Sequence, residues 1–181
     1  IFNPAGMATD LVYQLGEALK RGVRVGIILS KKGSNKFETF QRHYSLNFLN
    51  AIANANGSNF FVASLDNGTD VIYVHSKMFI VDDEFALIGS ANFDQRSMCH
   101  DGEIKIGVVD ENNLFTKTLR STLCQEHSQQ AATNFDDPIV AFDNMKSYVL
   151  AGTGRLRNYD FSNLSQPYNH AFVVNGVGWP Y

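Results

Sequence analysis

Cysteine is scarce in this chain: Cys99 and Cys124 are the two thiols among 181 residues. Two thiols make no disulfide framework, so both are expected free or half-buried and the fold has to rest on an apolar core. Long apolar runs are missing as well; none approaches the roughly 20 residues that cross a bilayer as a helix. Positive charge is not in excess, since 15 Lys and Arg against 18 Asp and Glu leave a formal net charge of -3. A mildly acidic chain does not attract a phosphate backbone through its overall field, which counts against a nuclease and leaves any phosphate contact to a local site. No internal repeat, low-complexity segment or signal peptide is visible. Ile1-Phe2-Asn3-Pro4 reads as an interior cut, so the missing leader has no bearing on export. The sequons at Asn56, Asn67 and Asn163 carry little weight in an Asn-rich chain.

What is present reads as one ordinary globular domain, 44% hydrophobic and 18% charged. Leu11, Leu15, Ala18 and Leu19 recur at helical spacing after a cap at Thr9 or Asp10, and Lys20-Arg21-Gly22 ends that helix. Val23 to Leu29 suits a buried strand. Phe37 to Ala55 predicts a longer helix with Phe40, Tyr44, Phe48, Leu49 and Ile52 inward. Strands are expected at Asn59 to Leu65, Val71 to Val81, Phe85 to Ser90 and Glu103 to Val109, with turns at Asp66-Asn67-Gly68-Thr69 and Asp82-Asp83-Glu84. Helices are expected at Asn112 to His127 and, after Asp137-Pro138, at Val140 to Leu150. Helices alternating with strands give an α/β or α+β class, a mixed sheet flanked by helices. Residues 152–181 show no period and are expected to wrap the domain or pack on a partner.

The chemistry concentrates between Val74 and Asn92. Alternation along a strand puts His75 and Lys77 on one face, with Phe79 and Val81 behind them. A hairpin turning at Asp82-Asp83-Glu84 sets Gly89 across from Lys77 and Ala91 near His75. Its open end gathers an imidazole, an ammonium, the Ser90 hydroxyl and the Asn92 carboxamide, with Gly89 offering no obstruction. Such a cluster suits a tetrahedral oxyanion. Lys77 supplies charge, Ser90 and Asn92 neutral donors, and His75 a nucleophile or proton carrier. Taken singly, each of these residues is a common solvated side chain; the joint spacing is what carries information. Asp82 has the wrong parity to reach the anion with His75 and is read as a turn residue whose hydrogen bonds fix the hairpin.

His-x-Lys, four residues, Asp, six residues and Gly-Ser-x-Asn together resemble the signature of the phospholipase D superfamily. The resemblance implies His75 as the nucleophile that becomes a phosphohistidine, with Lys77 and Asn92 as phosphate ligands and Ser90 beside them. It also implies that Glu103, in Asp101-Gly102-Glu103-Ile104, holds His75 by its other ring nitrogen; a solvated strand-end carboxylate is the plain alternative. No metal or cofactor is required by such a reaction. The flanks Ile72 to Met78 and Gly89 to Met98 look most like true phospholipases D. Cardiolipin synthases are similar through Arg96-Ser97 but usually have Pro where Gln95 stands, and Cys124 stands where many members carry Trp. Pro138 to Tyr148 resembles a tail segment of the eukaryote-like enzymes. Detailed resemblance covers roughly Val71 to His127.

The implied reaction is hydrolysis or transphosphatidylation of a phosphatidyl ester such as phosphatidylcholine, at a phospholipid membrane surface, by a secreted or membrane-peripheral protein. It needs two motifs, and His43, His100, His127 and His170 lack the motif context. Residues 1–128 are therefore expected to be one catalytic half and 129–181 an extension packing on it or on its partner. The second motif would come from an N-terminal half, in the same precursor or a separate chain, or from a second copy. Alternatives are a phosphatidyltransferase like the cardiolipin and phosphatidylserine synthases, a homodimeric endonuclease, and an inactive phosphate- or lipid-binding module. Cys99, His100, Cys124 and His127 match no common zinc spacing. Lys31, Lys32 and Lys36 form a small basic loop, solvated or set against anionic lipid.

Overall fold

The buried stripe of the first helix is set by a glycine. In α1 (Met7–Lys20), Val12, Gly16 and Leu19 recur four and three residues apart and are all buried. A Cβ at Gly16 would lie 2.8 Å from Ile52 Cδ1, so the missing side chain is what lets α1 sit directly on α2 (Lys36–Ala55). The expected stripe through Leu15 is thus rotated: Leu15 packs at the cluster's edge. A computed structural model describes residues 7–31, 36–57, 59–94, 97–98 and 101–163, without the side chains of 7–10 and 36–38. The basic loop and residues 164–181 lie largely or wholly outside these, as do Cys99 and His100.

The sheet comes in two parts. β1 (Val25–Leu29) runs parallel to β2 (Phe60–Leu65), and β6 (Leu156–Asn158) pairs antiparallel on the other side of β2. The second sheet is a meander of β3 (Lys77–Val81), β4 (Phe85–Gly89) and β5 (Lys105–Val109), antiparallel throughout. The α/β class expected from the alternation of elements is the one observed. The mixed pairing is confined to the first sheet.

Central β2 is apolar and almost wholly buried because both its faces are covered. On one side it joins Val12, Leu19, Leu46, Leu49 and Tyr159; on the other it meets Phe135, Met145, Val149 and Leu156. Residues 129–163 thus supply part of the core. Two helices cover this second side: α3 (Phe115–Ser128) and α4 (Pro138–Ala151), joined by a 3-10 turn at Ala132–Phe135. Their starts follow from capping chemistry. Asp137 accepts from the Ile139 and Val140 amides with Pro138 in the first turn, and Asp110, at the end of β5, accepts from Thr116 N at 2.7 Å.

α2 departs most from its expected pattern. Phe48 is exposed, whereas Gln41, Arg42, His43 and Ser45 are buried. A helix enclosed on several sides must pair its polar groups. Arg42 donates to the Ser30 carbonyl at 2.8 Å, and a His43 ring nitrogen lies 2.8 Å from the Asn163 carbonyl. Among the described residues no helix is long and apolar enough to cross a membrane.

His127, in the last turn of α3, gives the fold a pH dependence. Its Nδ1 is buried without a hydrogen-bond partner among the described residues. Burial pushes its imidazole below the ordinary value and Arg155 adds to that, while Glu126 opposes. The unfolded chain therefore binds a proton more readily than the folded one. The folded state keeps its full advantage above the unfolded value of about 6.5 and loses it as pH falls from there toward the lower folded value. The unfolding midpoint is expected to drop between about pH 7.5 and about pH 5.5, and His127→Gln to flatten that slope. An unchanged slope in the variant would locate the dependence elsewhere.

Candidate active site

Alternating burial delivers the histidine to the surface. After a turn in which Asn67 Oδ1 accepts from the Thr69 and Asp70 amides, the chain re-pairs with β2 through Ile72 N and the Leu65 carbonyl at 2.9 Å. Ile72 and Val74 then pack into the core around Phe135 and Met145, so Tyr73 and His75 point outward. Their rings stack, 5.5 Å apart with planes inclined by 23°. The Val74 carbonyl is fixed from the first sheet, accepting from Ser30 Oγ at 2.8 Å.

The hairpin has the expected register. Lys77 lies opposite Gly89 and Val81 opposite Phe85. Gly89 also faces Lys105 on β5, and a Cβ at 89 would fall 2.1 Å from the Ile104 carbonyl oxygen and 2.7 Å from Lys105 Cα. The glycine is therefore required by backbone, which cannot swing aside as a side chain can. Gly89→Ala is expected to cost about 3 kcal/mol, at the upper end for overpacking. Urea unfolding measures this, and a variant as stable as its parent would mean that β4 and β5 stand further apart.

Beyond Gly89 the ladder continues through a side chain. Ser90 N donates to the Ile104 carbonyl at 2.9 Å, and Ile104 N donates to Ser90 Oγ at 3.1 Å. Ser90 Oγ donates in turn to Glu103 Oε2 at 2.5 Å. The expected free donor at Ser90 thus directs its proton to Glu103. Glu103 is held by Ser90 and Ser97, and these hydrogen bonds keep its carboxyl below the usual range. Sequence reasoning aimed Glu103 at the His75 ring; the carboxylate is instead committed to two serines.

Lys77 is half-buried, and its Nζ donates to the His75 carbonyl at 2.7 Å. Burial pushes its ammonium down from the ordinary value, while Glu103 and Asp94 pull it up. Asp94 Oδ1 accepts from Ser97 N at 2.7 Å. Asn92 is half-buried on the loop leaving β4, between buried Ala91 and half-buried Phe93. One end of the hairpin thus carries His75, Lys77, Ser90, Asn92 and Glu103.

Asp82 lies at the other end and is exposed. The hydrogen bonding foreseen for it belongs to Asp83. Both aspartates are left-handed, with φ of 51° and 57°, a conformation that Asp tolerates better than most residues. Asp83 is 4% exposed, and its two oxygens accept from Nε and Nη2 of Arg120, at 2.6 and 2.7 Å. Two adjacent aspartates in a turn give no sequence signal as to which one turns inward. Tyr73, Asp94 and Ser97 also went unread, although the spacing of Tyr73 to His75 is a usable clue. A cleft of about 400 Å³ between α2 and α4, lined by Asn47, Lys146 and Asp160 among others, includes none of the motif residues. Among the described residues no His, Cys, Asp and Glu group could hold a metal ion.

Comparison with known proteins gives the family. A family model described as cardiolipin synthase, PLD-like domain, matches residues 1–132. Phospholipase D alpha 1 of Cynara cardunculus is 39% identical over 88 residues, covering 43% of this chain and 11% of that protein. Phospholipase D alpha 2 of Oryza sativa subsp. japonica is 44% identical over 79 residues, 38% of this chain and 10% of that protein. Phospholipase D alpha 4 of Arabidopsis thaliana is 49% identical over 63 residues, 32% of this chain and 8% of that protein. The chain spans about a tenth of the length of these relatives. With a family model matched over most of its length and a histidine–lysine hairpin in the spacing described, the chain belongs to the phospholipase D superfamily.

Proposed function

We propose that this chain is one half of a phosphodiesterase of the phospholipase D type, acting on glycerophospholipids such as phosphatidylcholine. The observation that carries the reading is the hairpin end, where His75 and Lys77 stand beside Gly89 and the Ser90–Glu103 bond. A ring nitrogen of His75 attacks phosphorus and the bond from phosphorus to the head-group oxygen breaks. The departing alcohol takes a proton from an acid, and the phosphatidyl group stays on His75. Water then attacks the phosphohistidine, giving phosphatidic acid and freeing the imidazole; an alcohol in place of water gives transphosphatidylation. Lys77 and Asn92 hold the non-bridging oxygens. Ser90 and Glu103 act by holding the end of β4 against β5. The step as written uses no metal or cofactor.

The acid that protonates the alcohol comes from a second motif. It lies on an N-terminal half, in the same precursor or a separate chain, or on a second copy of this one. The exposed apolar side chains of the second sheet support a partner there: Ile104 is 74% exposed and Ile106 67%. The phospholipid surface is the other partner, and the net charge of -3 counts against nucleic acid.

The test is direct trapping. The full-length protein, mixed with phospholipid labelled in its phosphate and quenched in alkali, is expected to carry the label on the peptide containing His75. Turnover with no label there would sink the phosphohistidine. A second reading, a phosphatidyltransferase like cardiolipin synthase, is favoured by the description of the matching family model. It predicts that phosphatidylglycerol outcompetes water as the acceptor.

A further inference from the structure

Lys77, Gly89 and Lys105 form one row across the second sheet, Lys77 opposite Gly89 and Gly89 opposite Lys105. Residues directly opposite one another project to the same face, and two strand spacings put the lysine Cα atoms roughly 10 Å apart. The stem of Lys105 leans over the glycine: its Cγ would lie 2.8 Å from a Cβ at position 89. The stem thus covers the glycine that separates the two lysines in the row. Lys105 is half-buried, and its Nζ has Met98 Sδ at 3.9 Å. A thioether is a weak acceptor for an ammonium with three donors. No carboxylate pairs with Lys105 among the described residues.

The nearby carboxylates are already engaged. Glu103, two residues before Lys105 on the same strand, is bonded to Ser90 and Ser97, and Asp94 to Ser97 N. Both act on the charge of Lys77. With Lys77 as its sole cation the row would face two negative groups with one positive group. Lys105 restores the balance, two ammoniums against two carboxylates, so that an arriving anion meets no net negative charge in the row.

We propose that Lys105 is a second cation of the phosphate site. Among the glycerophospholipids the site accepts, phosphatidylcholine included, it favours those whose head group carries a further phosphate or carboxylate. This rests on the phosphodiesterase reading for its catalytic arm alone.

Two measurements test it. The first needs no turnover: inorganic pyrophosphate and inorganic phosphate are titrated into the protein by calorimetry. Pyrophosphate is expected to bind about tenfold tighter, a charge-assisted hydrogen bond's worth. K105Q is expected to lose that preference and K105R to keep it. Equal binding of the two anions by the parent protein, or a preference that survives in K105Q, overturns the proposal. The second uses short-chain phospholipids below their micelle concentration, which removes surface charge as a variable. The ratio of kcat/KM for phosphatidylserine to that for phosphatidylcholine is expected to fall about tenfold in K105Q and to recover in K105R. An unaltered ratio overturns the head-group selection. Pyrophosphate preference lost in K105Q, in a protein that traps no phosphohistidine, upholds the second cation and removes the enzymatic reading.

Discussion

His75→Ala in the full-length protein is expected to lower turnover by about 10⁴-fold or more, the scale on which loss of a covalent nucleophile is felt. The ring has little structural duty. It is exposed and stacks on Tyr73, while the backbone at 74 is held independently by Ser30. The variant is therefore expected to unfold at the same urea concentration as its parent and to take up no label from phospholipid. Turnover measured beside the unfolding midpoint separates chemistry from folding. Activity within tenfold of the parent, in a folded variant, would assign the nucleophile elsewhere.

Asp83→Ala is expected to cost about 3–5 kcal/mol, the usual price of leaving one charge of a buried pair alone. Burial pushes the Arg120 guanidinium down, yet the hydrogen bonds and charge of Asp83 hold it above its ordinary value. Arg120 also donates to the Phe135 carbonyl at 2.8 Å, so the pair ties the hairpin turn to α3 and to the 3-10 turn. For a chain of this size the loss corresponds to a fall in Tm of roughly 10 °C. Removing both charges, with Asp83→Asn and Arg120→Leu together, is expected to cost less than the sum of the two singles. Cys124 is a local reporter, since burial pushes its thiol up to about 11 and leaves it inert at neutral pH. Faster alkylation of Cys124 in Asp83→Ala would show the turn lifting off α3. A drop in Tm of only about 1 °C would mean that the pair is dispensable.

The hairpin was legible in the sequence because its information is local. Alternation fixes which residues share a face, and a turn of fixed length fixes that Lys77 meets Gly89. Glu103 was placed near the motif correctly, but not on its partners. Its choice of Ser90 and Ser97 depends on how the loop after β4 folds back, which no periodicity encodes. Asp83 was overlooked in favour of Asp82 because its partner lies 37 residues away on α3. The three residues of β6 give no alternation to read and pair with a strand about ninety residues earlier. The inward side of α2 was misjudged for a related reason. Arg42 and His43 are buried by virtue of Ser30 and Asn163, neither of them within a helical turn.

Ser30 links two contacts: its hydroxyl donates to the Val74 carbonyl, and its own carbonyl accepts from the Arg42 guanidinium. The residue just before the imidazole is thereby moored to β1 and α2, although the imidazole serves the other sheet. The hairpin is thus held at both extremities, at Val74 by Ser30 and at Asp83 by Arg120. A shift of the second sheet has to carry the first sheet and α3 with it, and the imidazole keeps its place.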